Sequence, residues 1–528
     1  MLRLSLTTLL LACAAPGALL ALPAAAPAAP YMVSVMQDDN QLAYGTARQR
    51  RVALDRMKNL GVEAVRVTML WNAVAPANNA RRKPRRFDGS KPGDYPAHLW
   101  DRYDDLVLAA QQRGITTYFN PTGPGPRWGH RTAPVEGLQR SFRPSPKEFR
   151  KFVRAAGRRY SGSYRDENSG RRVLPRVSWW ALWNEPNQGG WLSPQGERRP
   201  GVGSVSASPH LYRELMVAGA KGLLASGHGE DLVLIGELAP LGAERPDGPR
   251  EALRPGLFLR ELFCLDRRYR PFAGRESTVR GCDHAVSELA VLERFPRLGF
   301  AHHPYTKKLS PQRRDTGRDA MTMANIDALP RALDRIAAVT GLLPPDMPVF
   351  LTEYGYETSP PDPFAGISPA LQAQYINEGD FIAWRHPRIF SNTQFQLFDV
   401  PPQREFPRDT RPYWRTYQSG LFTHEPFLRA KPAANAYKFP LVVRRRGSTA
   451  RIWGQARFAP NGATYAIVLQ ERAPGSSTWV RSGDPVPVTH HQGYFQARRP
   501  TRRGSAWRAV WVEPDLSRAE VSREAAAR

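Results

Sequence analysis

The chain has 528 residues, 41% of them apolar, and a formal net charge of +27 from 75 Lys and Arg against 48 Asp and Glu. That length exceeds one ordinary domain and the apolar share suits packed cores, so two domains are expected and a disordered chain is excluded. The charge favours weak attraction to acidic wall polymers, but the arginines are scattered among acids apart from short clusters such as RRKPRR, and no nucleic-acid motif accompanies them, so no specific nucleic-acid binding is expected.

Residues 1–28 combine Arg3, a short apolar run and small residues near Ala28. This is the pattern of a secretory signal peptide, so the protein is expected to be secreted or extracytoplasmic. No later segment is long and apolar enough to span a bilayer, so no membrane association is expected after cleavage.

From residue 29 onward, β-prone runs alternate with helical stripes. YMVSVMQ precedes a helix with Ala53, Met57 and Leu60 on one face. VEAVRVTML precedes one carrying Leu99, Tyr103, Leu106 and Ala110. ITTYFNP leads to a helix opening at Ser145-Pro146, an N-cap followed by proline. VSWWALWNEP leads to SPHLYRELMVAGAKGLLASG, and DLVLIGELAP to PGLFLRELFCLD. LGFAHHPYT, MPVFLTEYGYE and IFSNTQFQLFD complete eight strands, each followed by a helical pattern. Eight strand-helix units in residues 29–439 predict a closed (β/α)8 barrel, and the first strand lacks the Gly-rich phosphate loop of a doubly wound sheet.

Cys13 goes with the leader, which leaves Cys264 and Cys282 as a pair in an oxidising compartment, and a disulfide is expected. No metal or cofactor is implied, since neither cysteine has a CxxC or clustered-His partner and the histidines show no ligand spacing. Over residues 440–516 the pattern changes to short β-prone runs separated by Gly, Pro and Ser turns, which predicts an antiparallel β-sandwich. Its tryptophans are 453, 479, 507 and 511; the first and last lie in alternating runs and are expected to fill core, while Trp479 and Trp507 remain open as a sugar platform. Residues 517–528 are expected to be a disordered tail.

In a barrel the reactive groups sit at the C-terminal strand ends. Glu185 ends the fourth strand in SWWALWNEPNQGGWL, and Glu353 ends the seventh in VFLTEYG. Two carboxyls facing one another across the barrel mouth are the minimum equipment for cleaving a glycosidic bond. Indole faces stack on sugar rings, and Trp71, Trp128 and Trp191 are loop tryptophans open to either a platform or a core role. Trp179 and Trp180, before the strand end, are expected to pack. Glu237 ends the fifth strand without a matched motif, and Asp38, Asp39 and Asp399 sit near strand ends where solvated loop carboxylates are common.

WNEP and TEYG resemble the signatures of clan A glycoside hydrolases, retaining enzymes, with a flavour closest to families 5 and 39. The resemblance covers roughly residues 31–439. It implies a carbohydrate substrate, Glu185 as acid/base, Asn184 as a substrate-hydroxyl ligand and Glu353 as nucleophile. It further implies that Arg66 keeps the nucleophile ionised and that His303 and Tyr305, in AHHPYT, are the His-x-Tyr pair of the sixth strand. The third strand lacks a family 5 histidine and the eighth, ending FQLFD, lacks the usual platform tryptophan. A carbohydrate-binding protein on a degenerate barrel is the alternative.

Overall fold

The computed structural model describes residues 31–527 apart from 169, 246–247, 425, 460–464 and 513–518; the leader expected over residues 1–28 lies outside them. Eight parallel strands form the barrel: β1 (Val35–Gln37), β2 (Ala64–Leu70), β3 (Thr116–Thr122), β4 (Trp179–Ala181), β5 (Leu232–Leu238), β6 (Leu298–His302), β7 (Val349–Tyr354) and β8 (Ile389–Phe395). The sheet closes because β1 pairs with both ends of the series, Val35 opposite Ala64 and Met36 opposite Gln394. Every strand predicted from the periodicity is present.

The helices begin and end where local chemistry dictates. Ala47–Asn59 opens with a reciprocal cap between Thr46 and Gln49. Pro146–Arg159 starts at Ser145, whose hydroxyl accepts from the Glu148 N–H. Ala328–Thr340 stops at Gly341, which takes a φ of +68° that a side chain would resist. The helix after β4 also opens Ser-Pro, but its start is built differently. Ala207, not Ser208, is the cap of Ser208–Leu224, and the Ser208 hydroxyl instead donates to Gln195 at 2.9 Å.

The barrel interior has two layers, and alternation along the strands explains them. Val35, Ala64, Tyr118, Trp179, Ala181, Leu234, Ala301 and Phe350 form an apolar plug. Two residues further along the same strands come Gln37, Arg66, His303 and Thr352, so the upper layer is polar. Trp180 points outward into the helical shell, where it is fully buried. Trp179 and Trp180 therefore both pack, as expected.

Two antiparallel sheets follow, with Leu441–Arg446, Thr449–Gln455 and Tyr494–Pro500 in one and Tyr465–Arg472 and Ala506–Val512 central to the other. Ile452, Ile467, Leu469, Trp507 and Trp511 lie in the core between them. Trp453 is buried too, but against the barrel, 5.4 Å from Phe381 and 5.6 Å from Trp384. The tail is a correction. Ala519–Val521 and Ala525–Ala526 pair with Ala506–Val512, so backbone bonding holds the segment in the sheet.

Cys264 and Cys282 are disulfide-bonded. Among the described residues no helix is long and apolar enough to cross a membrane.

Candidate active site

The fourth strand does not simply stop. Trp183 and Glu185 take φ values of +72° and +37°, a conformation that non-glycine residues hold only when their surroundings enforce it. The enforcement is visible in the backbone, where Trp183 N–H donates to Pro121 O at 3.1 Å and Glu185 N–H to Glu237 O at 3.0 Å. The Asn184 N–H donates to the Thr122 hydroxyl. Asn187 then fastens the loop, its amide donating to Ala239 O and Leu253 O and accepting from Ala239 N–H. Asn-Glu-Pro-Asn thus turns Glu185 into the mouth of the barrel on a rigid mount.

Arg66 is the hub beneath. Its guanidinium is fully buried and donates to Glu353 Oε1 at 2.7 Å, Glu237 Oε2 at 2.9 Å, Asn184 Oδ1 at 2.6 Å and the Gln37 amide oxygen. Its fork geometry and permanent charge suit a site with several carboxylates. His303 is the second hub, with Nδ1 2.9 Å from Glu185 Oε1 and Nε2 2.7 Å from Glu237 Oε2. Burial opposes a charge on His303, but Glu353 and the hydrogen bonds to Glu185 and Glu237 outweigh it and push the imidazole up to about 10. It is therefore an imidazolium donating from both nitrogens.

Glu353 is held from two sides, by Arg66 at Oε1 and by the Tyr305 hydroxyl at Oε2, 3.1 Å away. Burial raises its carboxyl pKa; His303 and Arg66 pull it down, Glu185 and Glu237 push it further up, and the balance stays above the ordinary value. Burial and the Glu353 charge keep the Tyr305 phenol protonated, so it remains a donor. One oxygen each of Glu185 and Glu353, together with a His303 nitrogen, lie within 4.8 Å of one another.

Glu237 differs from the other two glutamates. It is fully buried and accepts from Arg66, His303, Thr352 at 2.8 Å and the Tyr118 hydroxyl. Burial works against its ionisation, but Arg66, His303 and Tyr118 prevail and hold it at about 2. It is a permanent counter-ion under the site, not a wall of the cleft.

The cleft above measures about 890 Å³ and is lined by Asn184, Glu185, Trp191, Tyr305 and Glu353, among others. Trp191 reaches it; Trp71 and Trp128 do not. Trp71 is wholly enclosed, stacked 5.9 Å from Phe152, and Trp128 packs edge-on against it while donating to Pro76 O. Trp71 has no face free for a sugar, and the half-buried Trp128 stands outside the cleft with Lys83 over its ring. Asp38 and Asp399 are not solvated loop carboxylates either. Asp38 is buried and accepts from the Leu397 and Phe398 N–H groups, and Asp399 is buried against Lys431 Nζ at 2.6 Å. Asp39 lines the cleft and accepts from Thr68 N–H and Gln37.

No family model matches this sequence, and no curated protein matches it. Among solved structures, it is similar to a family 39 glycoside hydrolase from the gut symbiont Bacteroides cellulosilyticus WH2, at 13% identity and a TM-score of 0.46, over 90% of this chain and 81% of that one. It is also similar to a family 1 β-glucosidase from Thermotoga maritima, at 14% identity and a TM-score of 0.45, over 74% and 85%. A family 5 structure from Streptomyces cattleya in complex with GlcNAc aligns at 18% identity and a TM-score of 0.42, over 78% and 79%.

Proposed function

We propose that the protein is a retaining O-glycoside hydrolase working by double displacement, with Glu353 as nucleophile and Glu185 as acid/base. The observation that carries this reading is the approach of Glu185 and Glu353 oxygens to within 4.8 Å around His303. Retaining enzymes hold their carboxyls about 5–5.5 Å apart, whereas inverting ones leave about 6.5–9.5 Å for a water between them.

Charge supports the division of roles. Arg66 and His303 bring two positive charges to three carboxyls, so the cluster is neutral when one carboxyl holds a proton. Glu237 is committed to its four donors and Glu353 to Arg66 and Tyr305. Glu185, with 19% of its side chain open to the cleft, is the carboxyl an entering leaving group would meet, so it takes the acid/base role. In the first step a Glu353 oxygen bonds to the anomeric carbon while the Glu185 proton passes to the departing oxygen. In the second step Glu185 takes a proton from water, the water oxygen bonds to the anomeric carbon, and Glu353 leaves as carboxylate. Arg66 and Tyr305 stabilise that carboxylate on departure, and His303 fixes the orientation of Glu185. Asn184, anchored by Arg66, presents its amide to the hydroxyl beside the anomeric carbon, and Trp191 offers the cleft a ring face.

The same reading has the protein exported, which the Cys264–Cys282 bond and the apolar leader sequence support. The test is trapping. A set of activated 2-deoxy-2-fluoro glycosides should inactivate the enzyme and leave one sugar esterified to Glu353, found by peptide mass spectrometry. Labelling at Glu185 instead would reverse the roles, and turnover of the parent glycosides with inversion would end the double-displacement reading.

A further inference from the structure

The end of the eighth strand, where a platform tryptophan was missed in the sequence, is built for another purpose. Three segments meet on that part of the cleft wall: Gly355–Glu357 after β7, Phe395–Gln396 at the end of β8, and Tyr417–Ser419. The Gln394 amide knits two of them, donating to Phe395 O at 3.0 Å, Gln396 O at 3.3 Å and Ser419 O at 3.1 Å. Gly355 closes the third against them. A methyl group there would stand 3.2 Å from Phe395 O and 3.6 Å from Ser419 Cβ.

Each segment brings an oxygen without a hydrogen bond of its own, although the Gln418 N–H lies against the Glu357 carboxyl. Glu357 Oε2, Gln396 Oε1 and Ser419 Oγ are buried without a hydrogen-bond partner among the described residues, yet all three residues line the cleft. Native structures rarely leave such groups unpaired, so three on one wall of one cavity are open to partners that enter the cleft, water or ligand. Gln396 also holds a φ of +81°, fixed by its N–H donating to Gln37 O at 2.9 Å. A glutamine kept in that conformation at a cleft wall is strain of the kind that accompanies ligand clamps.

We propose that Glu357, Gln396 and Ser419 form a subsite that hydrogen-bonds the hydroxyls of a neutral sugar. This rests on the glycosidase reading only in taking carbohydrate as what enters the cleft. Charge separates a neutral sugar from a uronic acid. Glu357 has Asp362 and Asp399 beside it, and Lys431 is the cation facing this group. Lys431 is already consumed, its ammonium donating to Asp399 Oδ1 at 2.6 Å, Thr358 Oγ1 at 2.9 Å and Gln418 O at 3.0 Å. At Glu357 a sugar carboxylate would meet the like charges of Asp362 and Asp399 with Lys431 already consumed; the cleft's other cations, Lys307, Lys308 and Arg313, stand on the loop after β6, outside the three segments. Burial, then Asp362, push Glu357 up to about 7, so near neutral pH it can donate a proton to a hydroxyl as well as accept one.

The experiment is calorimetric binding of neutral gluco-, galacto- and manno-configured aldonolactams, and of their uronic-acid counterparts, to the full chain. Wild type, Ser419→Ala and Glu357→Gln are compared, with melting temperatures showing that each variant is folded. The expected result is that at least one neutral lactam binds and loses about fivefold or more in affinity in both variants. Its uronic counterpart should bind wild type about tenfold more weakly. Unchanged affinity in both variants, equal or tighter binding of the uronic form, or no binding of any lactam overturns the subsite. Failure of the catalytic reading is separate: lactams that lose affinity in the variants, with no fluoro-glycoside label on Glu353, keep the subsite and remove the mechanism. Labelled Glu353 with unaltered lactam affinities does the reverse.

Discussion

Arg66 and Arg457 are both buried arginines paired with carboxylates, one at the top of the barrel and one in the seam between barrel and sandwich. Arg457 donates to Asp380 at 3.0 Å, Gln455 at 2.9 Å and the Tyr437 carbonyl at 2.8 Å, and each of these partners is itself enclosed. Around it Trp453 and Tyr494 pack on Trp384, so the seam is continuous with the barrel core. Arg66 has the same ingredients, but one of its carboxylates, Glu353, opens onto a cavity. A closed network of buried charge fixes how two bodies meet; the same network with one open carboxylate can do chemistry.

The sharpest test of the open network acts on that carboxylate. Glu353→Ala should lower kcat by about 10⁴-fold or more, since residues that act together in bond breaking fail together. Azide should restore turnover and yield a glycosyl azide of inverted configuration, because the small anion enters the space the carboxylate leaves. Product analysis by NMR decides it. Rescue only in Glu185→Ala with unchanged anomer at Glu353 would mean that the roles are exchanged.

The two arginines can be set against one another directly. Removing one partner of a buried ion pair strands the other, at a cost of about 3–5 kcal/mol. Arg66→Met and Arg457→Met should therefore both lose stability on that scale in urea titrations. Only Arg66→Met should also lose about 10²–10³-fold in kcat/KM per folded molecule, as expected when a preorganised donor to a developing charge is removed. A comparable kinetic loss in Arg457→Met would show that the seam is coupled to the site and that the contrast is false.

Much of this contrast was legible in the sequence, and its limits have physical causes. Glu185 and Glu353 were readable because each ends a strand and a barrel brings strand ends together, and Arg66, His303 and Tyr305 through the resemblance of their local patterns to those of clan A glycoside hydrolases. Glu237, Gln37, Tyr118 and Thr352 complete the network without a local pattern of their own. Their roles follow from which residues face inward at one height, and this depends on the register between strands. LIGEL did carry a signal, a lone acid at the end of an apolar strand. Trp71 and Trp128 stayed open between platform and core because a tryptophan after a strand end says nothing about whether its loop turns inward or onto the helical shell. The tail was unreadable because Ala519–Val521 is too short to show alternation and acquires its structure from a distant strand.

The open network should also make stability depend on pH. His303 is raised from 6.5 to about 10, so its stabilising contribution is full below 6.5 and is lost as pH rises through 10. Glu237 is lowered from 4.5 to about 2, so its contribution is full above 4.5 and is lost as pH falls through 2. Both are complete between 4.5 and 6.5. The difference in melting temperature between wild type and His303→Gln should be constant between pH 4.5 and 6.5 and shrink from there towards 10. Arg457 is held above its ordinary value and stays charged throughout, so the seam adds nothing to this slope. A difference that widens with pH would mean that His303 is neutral in the folded protein.

The smallest effect is expected on the outer face of the sandwich. Residues 441–528 carry fifteen arginines and no lysine against six acidic residues, so long-range attraction to acidic polymers should be weak and screened by salt. Specific sugar binding would need a flat pair of exposed rings. Trp507 is fully buried in the sandwich core, and Trp479 is half-buried, with the Arg472 and Arg508 guanidiniums 5.1 and 4.5 Å from its ring. These cations occupy Trp479 as partners, so no two-ring platform forms. The measurement needs the full chain, because cutting at the seam would bare Trp453 and Val442, which belong to the barrel core. Retention on an insoluble acidic polysaccharide should fall away between low and high salt and be the same in wild type and Trp479→Ala. Retention that survives high salt and vanishes in Trp479→Ala would make this face a true carbohydrate-binding surface, and the sandwich would then share in substrate capture instead of serving only as a buttress for the barrel.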